Sequence, residues 1–66
     1  MEIKFNGQWR EFPDHSTVIE VLDAVGASRQ GVAVAVNGEV VRRGDWAAAV
    51  VPKGANFDVL TAVQGG

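Results

Sequence analysis

At 66 residues the chain has room for one small domain, which buries only about 60% of the surface its unfolded form exposes, and 47% apolar residues is a folding composition rather than a disordered one. The absence of cysteine and the presence of a single histidine, His15, exclude thiol nucleophiles, disulfides and zinc sites of the usual kind, so the core must hold itself. Six Lys/Arg against eight Asp/Glu give a net charge of −2, with no basic run longer than Arg42-Arg43, which argues against DNA and RNA as partners.

Met1 to Phe5 alternates apolar and charged side chains, the period-two pattern of a half-buried strand. Asn6-Gly7 accepts the positive φ angles of a tight hairpin turn, so Gln8 to Phe12 is expected to run back antiparallel. Pro13 to Ser16 is a loop. Thr17-Val18-Ile19-Glu20 then matches a capping box, in which a hydroxyl and a carboxylate satisfy the first free helical N–H groups. Val18, Val21, Leu22 and Val25 follow with i, i+3, i+4, i+7 spacing, and Gly26 is placed to end the helix in the left-handed conformation. A helix this short needs a sheet to cover its apolar stripe.

Val32 to Val36 is a continuous apolar run bounded by Gly31 and Asn37-Gly38, read as a central strand buried on both faces, with Glu39 to Arg42 as its short return. The three alanines after Trp46 favour a helical turn, which Val50, Val51 and Pro52 restrict to a short piece such as a 3₁₀ turn. Pro52-Lys53-Gly54 is a further turn, and Phe57 to Ala62 reads as the last strand. The order β-β-α-β-β-β predicts an α+β fold: a mixed sheet of four to five strands with one helix across it, formed by residues 1–62, and a flexible tail, 63–66.

Constellations for catalysis are nearly absent. Asp14-His15-Ser16 superficially resembles a triad, but sequence neighbours seldom converge, and His15 is expected to be a solvated loop residue. Asp14, Glu20, Asp23, Asp45 and Asp58 are scattered rather than paired, and no phosphate-cradling glycine loop is present. Trp9 and Trp46 are expected in the core, since a small domain with five aromatic residues needs them there. The start of the chain has neither the basic segment nor the apolar stretch of a secretory signal, and no window approaches a membrane span, so a cytoplasmic protein without membrane contact is expected.

Val63-Gln64-Gly65-Gly66 leaves two readings open, a frayed end or a functional handle. For the second, the missing Cβ atoms of Gly65 and Gly66 let an extended backbone pass through a narrow channel, and four residues reach roughly 13 Å.

Asn6-Gly7, the Val32–Gly38 block, Arg43 followed by Trp46-Ala47, and Leu60-Thr61-Ala62-Val63-Gln64-Gly65-Gly66 together resemble the ThiS family, sulfur carriers of thiamine biosynthesis. The resemblance spans essentially the whole chain and implies a ubiquitin-like β-grasp fold. It also implies that this chain is not an enzyme but a carrier acted on by others. An E1-like adenylyltransferase would use ATP to convert the Gly66 carboxylate to an acyl-adenylate, and a cysteine desulfurase or equivalent would supply the sulfur. Thiazole synthase would consume the resulting thiocarboxylate, and the carrier itself would bind no cofactor or metal. Gly65 and Gln64 would give slender access, and Leu60, Ala62 and Val63 the docking surface. Alternation puts Leu60 and Ala62 on the face opposite Phe57, Val59 and Thr61. The family usually carries Gly-Asp where this chain has Gly54-Ala55, which brings the stability of that turn into question. Related readings are the small subunit of molybdopterin synthase, whose pattern is longer and differs before the glycines, a ubiquitin-like modifier, and a β-grasp binding module with passive glycines.

Overall fold

Alternation in the first eleven residues builds a hairpin in the computed structural model, which describes residues 1–61. Strand β1 (Glu2–Phe5) pairs antiparallel with β2 (Gln8–Glu11) across Asn6-Gly7, both residues of which take positive φ. Helix α1 (Val18–Val25) follows, then β3 (Val32–Val36) and β4 (Glu39–Val41), joined by a second positive-φ turn at Asn37-Gly38. A 3₁₀ turn (Arg43–Asp45) leads towards β5 (Asn56–Thr61). The five strands form one mixed sheet in the order β2-β1-β5-β3-β4, with β5 parallel to β1 and antiparallel to β3. The helix covers one face of this sheet, as the β-grasp expectation requires.

Both helix ends are closed as their residues predict. The Glu20 N–H donates to Thr17 Oγ1 at 3.2 Å, the Thr17 N–H donates to Glu20 Oε1 at 2.8 Å, and Gly26 ends the helix at φ 73°. Such a cap is worth about 1 kcal/mol. Val18, Val21 and Leu22 are buried against Ile3, Val34 and Phe57 from three adjacent strands. Phe12, Trp46, Val51 and Ala55 complete the core. The one buried polar side chain among the described residues, Ser16, donates from Oγ to the Pro13 carbonyl at 2.6 Å.

Three expectations need correction. Trp9 is 56% exposed, whereas Trp46 is 2% exposed. Trp9 pairs with Lys4, whose side chain lies on the sheet face opposite Ile3 and Phe5, and no helix covers that face; the Lys4 ammonium lies 5.9 Å from the Trp9 ring centroid instead. Secondly, β3 is interior but not the middle strand, and it is not buried on both faces. Val34 is buried against the helix, while Ala33 and Ala35 point the other way and are only half-buried. Thirdly, the 3₁₀ helix covers Arg43–Asp45, ahead of the alanines, because the Asp45 N–H closes on the Arg42 carbonyl at 2.8 Å; the alanines follow it in the helical turn expected of them, the Ala48 and Ala49 N–H groups donating to the Asp45 carbonyl at 3.0 and 2.8 Å. Strand limits otherwise shift by a residue: β2 stops before Phe12, β4 before Arg42, and β5 begins at Asn56.

The turn at Gly54-Ala55 is closed by backbone alone. The Ala55 N–H donates to the Pro52 carbonyl at 3.2 Å, the Gly54 N–H to the Glu2 carbonyl at 2.8 Å, and the Ala55 side chain enters the core. The turn therefore closes without a carboxylate at that position.

Beneath the same end of the sheet, the Met1 ammonium donates to the Phe12 carbonyl at 2.6 Å and lies 3.1 Å from Asp14 Oδ1. The hydrogen bond from this amine, then its charge, then that of Lys53 hold the Asp14 carboxyl below its ordinary 3.8. A carboxyl with a depressed folded pKa stabilises the fold above its unfolded value, and the contribution fades as pH falls through the folded value. Asp14→Asn is accordingly expected to lower the urea midpoint at neutral pH. The gap from wild type should close as pH is taken well below 3.8, and a constant gap across that range would exclude the ion pair as its source.

Candidate functional site

The helix-free face of the sheet follows from strand parity. Phe57 and Val59 point to the helix, so Asp58 and Leu60 point outward, and cross-strand partners share a face. Leu60 stands opposite Ala33, and Asp58 opposite Ala35, which in turn lies beside Val40 on β4. Leu60 is 57% and Val40 71% exposed. Two alanines between them leave a shallow apolar surface, with Asp58 at its β5 margin and Trp9 further across the sheet beyond the Lys4 and Asn56 positions. Contiguous exposed apolar surface is a common feature of protein-interaction sites.

Of the residues expected to dock partners, Leu60 lies on this face as alternation requires. Ala62, Val63, Gln64, Gly65 and Gly66 lie outside the described residues. Ala33, Ala35 and Val40 belong to the same surface, and sequence reasoning missed them; the signal was present in Val32-Ala33-Val34-Ala35-Val36, where the small residues occupy one parity and the large ones the other.

Strand β5 is fixed at both sides by the two Asn-Gly turns. The Asn37 N–H donates to the Asn56 carbonyl at 2.8 Å, and Asn37 Oδ1 accepts from the Asn56 N–H at 3.0 Å. On the other side the Asn6 N–H donates to the Phe57 carbonyl at 2.8 Å, and Asn6 Oδ1 accepts from the Val59 N–H at 2.8 Å. Each asparagine thus supplies a turn and a substitute for a missing strand partner.

The end of β5 is also braced from beyond β3. Thr61 pairs with Val32, whose carbonyl accepts from the Arg43 guanidinium at 3.4 Å; Arg43 also donates to the Arg29 carbonyl and stacks 4.5 Å from the Trp46 ring centroid. Trp46 Nε1–H donates to the Val41 carbonyl at 2.9 Å, and Arg29 forks onto the Asp23 carboxylate. These contacts tie the helix-to-β3 loop, the 3₁₀ turn and β4 into one support beside Thr61 at the end of β5.

His15 is exposed, with φ 66°, and its neighbour Asp14 is engaged with Met1 and Lys53 rather than with the imidazole. The scattered carboxylates remain apart: among the described residues no three His, Cys, Asp or Glu side chains are grouped as metal ligands. No helix there is long and apolar enough to cross a membrane. A groove of about 560 Å³ beside β4 is lined by Val18, Val40, Val41, Ala49 and Val50 together with the charged Glu39, Arg42 and Asp45.

Comparison with known proteins agrees with this geometry. The ThiS family model matches residues 3–66. The sulfur carrier protein ThiS of Escherichia coli (strain K12) is 32% identical over 66 residues, covering 100% of both chains. The crystal structure of a thiamine biosynthesis protein (ThiS) from Geobacter metallireducens has a TM-score of 0.88 at 29% identity, with 100% of each chain covered. A solution NMR structure of a thiamine biosynthesis protein from that organism has a TM-score of 0.73 at 29% identity, covering 100% of this chain and 88% of that one. A β-grasp sheet whose central strand leads to a Gly-Gly terminus, matched by this model over all but the first two residues, assigns the chain to the ThiS family.

Proposed function

We propose that the chain is a sulfur carrier for the thiazole ring of thiamine, with the α-carboxylate of Gly66 as the group that carries sulfur. The observation that supports this most strongly is the family match, which runs through the glycines at residue 66. A carboxylate of pKa about 3.5 is ionised at neutral pH and resists nucleophilic attack. An E1-like adenylyltransferase would therefore first join it to AMP, releasing pyrophosphate from ATP. Sulfur originating from cysteine, delivered by a desulfurase or an equivalent donor as a persulfide, then attacks the carbonyl carbon through its terminal sulfur and AMP leaves; a thiol reductant cleaves the S–S bond of the resulting acyl disulfide, is itself oxidised to a disulfide, and frees the thiocarboxylate. The Gly66 thiocarboxylate passes its sulfur to thiazole synthase and the carboxylate returns.

In this reading the chain itself performs no catalysis and holds no cofactor, ATP belongs to the partner, and the cycle runs in the cytoplasm. Residues 1–62 form the recognition domain and 63–66 the tail. Gly65 and Gln64 provide slender access, while Leu60, Ala62 and Val63, extended by Ala33, Ala35 and Val40, meet the partner enzymes. Intact-mass analysis after incubation with ATP, an active E1-like enzyme and a sulfur source is expected to register replacement of one Gly66 oxygen by sulfur. Deleting Gly66 should abolish the change and leave the circular dichroism spectrum unaltered. An unchanged wild-type mass in the presence of demonstrably active partners would rule the carrier reading out.

A further inference from the structure

Resting on the carrier reading, we infer that the activating enzyme grips the base of the tail by adding an extended backbone segment to β5, at an open notch formed by the Val59 carbonyl and the Thr61 N–H. Backbone groups along β5 alternate in direction. Those of Asn56 bond to Asn37 on the β3 side, so even-numbered residues serve β3. Odd-numbered residues serve β1: the Ala55 carbonyl accepts from Lys4 at 2.9 Å, the Phe57 carbonyl from Asn6 at 2.8 Å, and the Val59 N–H donates to Asn6 Oδ1 at 2.8 Å.

Strand β1 ends at Phe5, opposite Phe57, but β5 continues to Thr61. Beyond the Val59 amide nothing on the β1 side takes up the ladder, and the Val59 carbonyl and Thr61 N–H have no protein partner among the described residues. An acceptor followed two residues later by a donor, directed to one side of a strand, is the complement of another extended backbone. The Asn6 carboxamide closes the edge at Val59, so an added strand has one place to start and cannot slide along β5 toward the core. Leu60, between the two open groups, points to the helix-free face, making the notch continuous with the apolar surface. Strand addition here would hold the following residues extended, the form in which a glycine tail enters a narrow active site.

The register supplies a selective probe. Because the Thr61 backbone is directed away from β3, Thr61→Pro removes the N–H at the notch without removing a bond of the β3–β5 ladder, and Thr61→Ala removes only the side chain. In the adenylation assay, Thr61→Pro is expected to raise the KM for the carrier about tenfold with kcat little changed, and Thr61→Ala to stay near wild type. In the wild-type complex with the activating enzyme, hydrogen exchange of the Thr61 amide should slow markedly relative to the free carrier, a readout independent of how Thr61→Pro folds. Wild-type thiocarboxylate formation with an unprotected Thr61 amide, or with Thr61→Pro processed like wild type, would overturn strand addition and leave the carrier reading intact. Absence of thiocarboxylate on the wild type would remove both.

Discussion

Phe57→Ala is expected to cost about 3–5 kcal/mol of folding free energy, the range for emptying a buried aromatic site. For a chain of 66 residues the whole stability is only roughly 3–10 kcal/mol, so the variant should lose about a third of it or more, and all of it at the lower end of that range. The site leaves little room for relaxation. Phe57 is fully buried on the central strand, its ring stacks on Phe5 with centroids 5.5 Å apart, and its neighbours come from β1, β3 and α1 at once. Trp9→Ala removes a larger side chain yet should change stability by about 1 kcal/mol or less, because that ring stands in solvent and gains only from Lys4. Urea denaturation of the two variants checks the contrast; equal losses would mean that the helix-free face is not open in solution.

Leu60→Asp is expected to have the opposite profile, an intact fold and a failed partnership. The side chain is more than half exposed, so its loss costs the domain little. On the helix-free face, however, it stands beside Ala33 and next to Asp58, and a second carboxylate would turn the apolar surface acidic. An interface anchor of this kind is worth about 2 kcal/mol or more, so the KM for the carrier in adenylation should rise by about thirtyfold or beyond. Val50→Asp serves as the control, since Val50 is comparably exposed but is bridged to Thr17 at the start of the helix, outside the strands that form the helix-free face. If Leu60→Asp is adenylated at the wild-type KM, the surface has no part in activation; equal impairment of both variants would indicate a general charge effect.

Local rules made most of the fold legible. The two Asn-Gly turns, the capping box at Thr17 and the closing Gly26 each depend on chemistry within a few residues, and each stands where the pattern puts it. What failed to show was tertiary. Whether Trp9 is buried depends on which sheet face receives the only helix, and a four-residue strand with every position exposed carries no alternation to reveal it. The place of β3 beside rather than at the centre of the sheet depends on β5 inserting between β1 and β3. The outward position of Leu60 was visible from alternation. The grouping of Ala33, Ala35 and Val40 with it needed the register that brings three strands together.

The position of β5 also governs the order in which the domain can form. The strand at the centre of the sheet is the last one in the chain, and one of its bonds, from the Val59 N–H to Asn6 Oδ1, spans 53 residues. A nascent chain can make the first hairpin and the helix early, but neither sheet half finds its neighbour until β5 arrives. Pairings this remote slow folding, because the loop must be closed before its contacts repay the lost entropy. A chain broken off before Asn56 would lack the centre of its sheet as well as the Gly66 carboxylate proposed to carry sulfur. Only a chain translated through β5 can therefore complete the sheet, so an incomplete chain is also an unfolded one.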